Sequence, residues 1–198
     1  MIEAEKYMTQ SQTATASDDK TGRIVGPSAI LTLAVPVVAL IVAVLSGSLL
    51  ILTYVHILTG GTWTGIDLFM GLVMSRVLSG LSPKSRVEVI KKLVPITLFF
   101  MPALASVAIT AGAYLAISTG WSFTSTPIIA AIIIVAILSA QGFFLILPTE
   151  VRIFLELRKP NPDTEKIAKL GMRNFYFAGS QVIFQLAIIF VMAYMGTI

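Results

Sequence analysis

The placement of charge constrains this chain more than any other property. No Lys, Arg, Asp or Glu occurs between Arg23 and Asp67, between Lys92 and Glu150, or after Arg173. A soluble domain must turn one face of each helix or strand to water, so it cannot leave intervals of this length uncharged. One bilayer crossing needs about 20 apolar residues, and the three intervals suit two, two and one crossings. Composition agrees, with 56% of residues hydrophobic and 12% charged, whereas a soluble domain carries roughly a quarter charged residues. The expected fold is an all-α integral membrane protein, a bundle of about five transmembrane helices.

Helices are expected over about 25–45, 49–76, 94–117, 127–148 and 175–198, after a polar, flexible cytoplasmic tail at 1–24. Pro36 predicts a kink in the first helix, Ser46-Gly47-Ser48 a tight turn, and Pro148 the end of the fourth. The segments between helices two and three and between helices four and five read as basic loops, each with a short surface helix. Glu150 and Arg152 close the fourth helix at the interface, where they can pair with the other basic loop; this reads as an architectural role. With five spans, all 14 Lys and Arg fall on one side of the membrane. The positive-inside bias then puts the N-terminus in the cytoplasm and the C-terminus outside, in a multi-pass protein of a prokaryotic plasma membrane. The pI near 9.5 thereby reads as a topology signal, and no nucleic-acid partner is expected.

The absence of cysteine excludes disulfides and thiolate chemistry. There is no Walker lysine loop, dinucleotide glycine fingerprint, zinc-spaced histidine pair or nucleophile elbow. No catalytic residue can be named, so enzymatic activity is not expected.

Polar residues inside the spans remain the informative ones. On the second helix His56, Gly60, Trp63, Asp67, Met70 and Met74 fall on one stripe at 100° per residue, while Leu58, Leu68 and Leu72 lie elsewhere. That stripe should face the bundle, because ionisable groups avoid lipid. His56 falls in the outer part of the membrane. Asp67 lies 11 residues deeper, about 16–17 Å further along the helix, so the two cannot share a ligand. Asp67 is either a proton or cation site, or a structural partner of Gln181, Gln185 or a loop cation. His56 is the only histidine. It either orders the bundle by hydrogen bonding or acts as a ligand, with Met192 and Met195 at its depth on the last helix. Imidazole with thioethers suits haem iron or Cu(I).

The segment His56-x3-Gly60-Gly61-x-Trp63-x-Gly65, with Phe69 following, resembles the first signature helix of the copper-resistance D family. It is also similar to the membrane portion of bacterial membrane-anchored urate oxidases. Met101-Pro102, Ala111-Gly112, the Leu147-Pro148 step and Pro160-Asn161-Pro162 extend the likeness over most of residues 48–198. The resemblance implies copper handling or haem-linked chemistry, with haem b or copper as cofactor, His56 as metal ligand and Trp63 as a pocket wall. The chain departs from that pattern in lacking any second histidine.

Three functions follow from these residues. One is a haem- or copper-binding membrane protein in a redox or copper-handling system. The second is an accessory subunit without chemistry of its own in a larger respiratory or oxidase complex. The third is a small proton-coupled transporter using Asp67, Gln181 and Gln185. The expected partners are the lipid bilayer and other membrane subunits or a second copy of the chain.

Overall fold

The computed structural model describes residues 27–197. The expected tail at 1–24, the start of the first helix and Ile198 lie outside the described residues. Among those described, the chain forms five helices: α1 (Pro27–Leu45), α2 (Leu49–Ser79), α3 (Pro83–Ser118), α4 (Thr126–Leu157) and α5 (Thr164–Met195). Four of them, α2 to α5, are long and apolar enough to cross a membrane; α1 is a shorter apolar helix. The protein is an all-α multi-pass membrane protein.

Its outer surface states the same thing physically. Leu50, Phe144, Phe190 and Ile183 are each more than two-thirds exposed. A monomer in water rarely presents continuous apolar surface of this kind, whereas lipid is its natural solvent.

The helices are longer than expected, and the extra length lies at the basic end. α3 begins at Pro83, with Ser82 accepting from the Ser85 amide as an N-cap, and α5 begins at Thr164 behind an Asp163 cap. The residues read as basic loops are therefore mostly helix. The cause is an apolar stripe beneath the charges: Val87, Ile90, Val94 and Leu98 on α3, and Ile167, Ala168, Gly171 and Phe175 on α5, are all buried. At 1.5 Å per residue, a helix of 36 residues is about 54 Å long, far more than the roughly 30 Å of hydrocarbon. The surplus projects toward water, so a conventional hydrophobic core is needed there. Leu78, Ile90, Ile153 and Ile167, each fully buried, provide it.

Two further core layers lie along the bundle. Trp63, Leu104 and Leu138 pack in the middle. Ala43, Leu52, Val55, Val107 and Ala111 pack near the turn between α1 and α2. That turn uses Gly47 at φ 62°, in the left-handed region that favours glycine.

Two helices contain a wider π-helical stretch: Phe69–Met74 in α2 and Gly142–Ile146 in α4. The second corrects the expectation that α4 ends near Pro148, since the helix runs on to Leu157. A proline lacks the N–H for the α-helical bond and crowds the carbonyl four residues back. The π stretch immediately before Pro148 widens that turn, and the chain passes the proline without stopping.

Candidate functional site

The stripe predicted on α2 faces inward: Trp63 and Asp67 are 8% and 2% exposed, whereas Leu58, Leu68 and Leu72 are 40–52% exposed. It serves two separate sites.

At the outer site, Nδ1 of His56 donates to the carbonyl of Ala108, 2.8 Å away on α3. A carbonyl can only accept, so Nδ1 carries a proton. Nε2 faces Sδ of Met192 on α5 at 3.4 Å. Gly112 makes the approach possible, because a Cβ there would lie 2.8 Å from Cε1 of the ring. Gly60, whose missing side chain allows either a close helix crossing or the approach of a flat ring, faces α3 at Ala108, whose Cβ lies 3.9 Å from the position a side chain at Gly60 would take. Met192 supplies the thioether that meets His56. Met195 lies almost one turn further along α5.

The cofactors implied by the resemblance can be tested against this arrangement. Metal–nitrogen and metal–sulfur bonds of about 2.0 and 2.3 Å would set two axial haem ligands about 4.3 Å apart. His56 and Met192 are too close for a haem plane between them, and the sulfur occupies the position an iron would take on Nε2. Haem does not fit these residues as they are placed. The pair does offer an imidazole nitrogen and a thioether, donor types that suit a soft monovalent ion.

The inner site is built from all four long helices. Asp67 on α2 accepts from Nε2 of Gln185 on α5 at 2.7 Å, and Gln185 is 1% exposed. Glu150 on α4 is 4% exposed. Its Oε1 accepts from Thr97 Oγ1 of α3 at 2.8 Å and from Asn174 Nδ2 of α5 at 3.3 Å. This corrects the expected pairing of Glu150 with the other basic loop. It does not reach an interfacial cation but points into the bundle, while Arg152 beside it is exposed. Gln181, expected near Asp67, donates instead to the carbonyl of Leu138 on α4 at 3.0 Å.

Asp67 and Glu150 line one partly enclosed cavity of about 130 Å³ together with Trp63, Asn174 and Gln181. Each carboxylate is adjacent to a π-helical stretch, Asp67 just before Phe69–Met74 and Glu150 just after Gly142–Ile146. Such stretches occur often at functional sites. Among the described residues neither carboxylate forms an ion pair; the salt bridges belong to Glu156, held by Lys159 and Lys166. Arg173 reaches only as far as the neighbouring Thr149 hydroxyl, at 3.1 Å. The side-chain oxygens of Gln141, Asn174 and Gln185 are buried without a donor. The region therefore holds more acceptors than donors.

Among the described residues no cluster of three or more His, Cys, Asp or Glu side chains could hold a metal ion. No protein-family model matches the chain, and neither a curated protein nor a solved structure matches it.

Proposed function

We propose that this protein is a small proton-coupled membrane carrier, with Asp67 as the proton-binding group and Glu150 as a second protonatable group of the same cavity. The observation that supports this reading is the pair of carboxyls on different helices, both buried, both lining one cavity and neither neutralised by a cation among the described residues. Intramembrane carboxyls are costly to place and typically mark ion or proton paths. A carboxyl without a counter-ion can exchange a proton with the cavity at little structural cost, because Gln185 on Asp67 and Thr97 and Asn174 on Glu150 are neutral donors that stay in place. The groups facing the pair are Trp63 from α2, Gln185, Asn174 and Gln181 from α5 and Thr97 from α3, with Arg173 one residue removed through Thr149.

The test is proton movement in proteoliposomes after a pH jump, read with an entrapped pH-sensitive dye. Asp67→Asn keeps the shape and removes the proton site, and should slow equilibration by about tenfold or more, equivalent to about 1.4 kcal/mol in the barrier. Equal rates in wild type, Asp67→Asn and protein-free vesicles would remove the reading.

A second reading is favoured by one observation at the outer site, Nε2 of His56 facing the sulfur of Met192 at 3.4 Å. His56 and Met192 would hold a soft monovalent metal ion, with the Ala108 carbonyl fixing the ring as such outer partners do. Bound Cu(I) would supply electron transfer or copper carriage. Ag(I), a diamagnetic substitute, should shift the Nε2 resonance of the single histidine and the methyl signal of Met192 together. If Met192→Leu leaves the shift of Nε2 intact, the pair is not the ligand set.

A further inference from the structure

We infer that the cavity between Asp67 and Glu150 takes a small amphipathic organic cation, an ammonium group carrying one ring or a short branched alkyl chain. This rests on the carrier reading and names its substrate class.

Size sets the first limit. A cavity of about 130 Å³ is close to the volume that accepts one benzene-sized group in a protein interior, about 150 Å³. Larger lipophilic cations with several rings exceed it.

The walls set the second. Trp63, Phe143 and Phe175 contribute aromatic surface, and Met70, Leu93 and Met101 contribute aliphatic and thioether surface. A hard inorganic ion takes oxygen ligands alone and makes no use of these apolar walls. An organic cation can lay its apolar part on them and place its charge against an aromatic face.

The polar groups set the third. Two carboxyls reach the cavity from α2 and α4, and Asn174 brings a buried amide oxygen that lacks a donor. Gln185, hydrogen-bonded to Asp67, has another. An alkylammonium brings the positive charge that this cluster lacks, and N–H donors for the amide oxygens left without one. A neutral amphiphile would leave the acceptors unpaired, and an anion would be repelled. Proton coupling then has a simple form, because a proton and the ammonium compete for the same carboxyls.

The experiment is titration of benzylammonium into the full chain in lipid nanodiscs at neutral pH. Trp63 fluorescence is the readout, with Trp121→Phe introduced to silence the other tryptophan. Saturable quenching is expected. Benzyl alcohol should bind at least about tenfold more weakly, and Asp67→Asn and Glu150→Gln should each weaken benzylammonium by about tenfold, near 1.4 kcal/mol. Asp67→Glu, which keeps the charge, should retain part of the affinity, and helix circular dichroism checks that each variant is folded. Benzyl alcohol binding as tightly as benzylammonium would overturn the inference, as would quenching that never saturates or is indifferent to both carboxyl variants. Should benzylammonium fail while proton flux still depends on Asp67, the substrate class is wrong and the carrier reading survives. If benzylammonium binds as expected but Asp67→Asn leaves proton flux unchanged, the ligand class stands and the proton coupling falls.

Discussion

Gly71→Ala should destabilise the bundle by about 3 kcal/mol, the upper part of the range for overpacking a close contact. Gly61→Ala on the same helix should be neutral or up to about 1 kcal/mol more stable. A methyl group at Gly71 would overlap Cα of Gly179 and approach its amide nitrogen, so the obstacle is backbone and cannot rotate away. Either the α2–α5 crossing opens or the π-helical stretch rearranges, and Ser75, whose hydroxyl donates to the Gly71 carbonyl, moves with it. At Gly61 nothing lies within 4 Å, so the added Cβ meets lipid and only the helix preference for alanine remains. SDS titration in mixed micelles, followed by helix circular dichroism, measures both variants. Similar midpoints for the two would show that α2 and α5 do not cross where Gly71 meets Gly179. The same crossing holds the inner site together, because Asp67 lies one turn before Gly71 and Gln185 under two turns beyond Gly179. A wider crossing therefore weakens the Asp67–Gln185 bond as well.

The membrane architecture was legible because charge is a one-dimensional signal: uncharged intervals count helices without knowledge of their packing. The inward stripe on α2 was legible for the same reason, since a 100° repeat depends on the helix alone. Depth narrowed the structural partner of Asp67 only to Gln181, Gln185 or a loop cation, and the structure selects Gln185. Glu150 was misread because Pro148 and Arg152 flank it, and proline next to a cation is the usual signature of a helix end. What keeps α4 going is the π-helical stretch before Pro148, a property of backbone hydrogen bonding that composition does not report. The thioether on His56 was narrowed only to Met192 or Met195. Choosing between them needs the rotation of α5 against α2, which the Gly71–Gly179 contact sets. Sequence periodicity within one helix carries no information about that rotation.

Ile90→Asp offers the sharpest separation between a basic surface loop and a helix that continues beyond the membrane. In a loop flanked by Arg86, Lys91 and Lys92, an added carboxylate would find cations and cost almost nothing. In the structure Ile90 is fully buried, packed among Leu78, Ile153 and Ile167, and its Cδ1 occupies the space where a Cβ on Gly171 would lie. An aspartate there loses the apolar contact, worth about 1.5–3 kcal/mol for a buried aliphatic side chain. It also either leaves a charge without a partner or must be protonated to stay. The expected loss is about 4 kcal/mol, among the largest that one substitution produces. Lys91→Asp, one position along on the exposed face, should change stability by less than about 0.5 kcal/mol. Both variants place a new carboxylate within one turn, and Lys91→Asp changes the charge by more, so a larger loss in Ile90→Asp reports the burial of position 90. If Ile90→Asp behaves like Lys91→Asp, α3 does not extend back to Pro83, and the core at the basic end is not formed. The inner cavity would lose its floor with it, since Ile90 and Ile153 line the cavity below Glu150. The proposed carrier site would then be a shallower one.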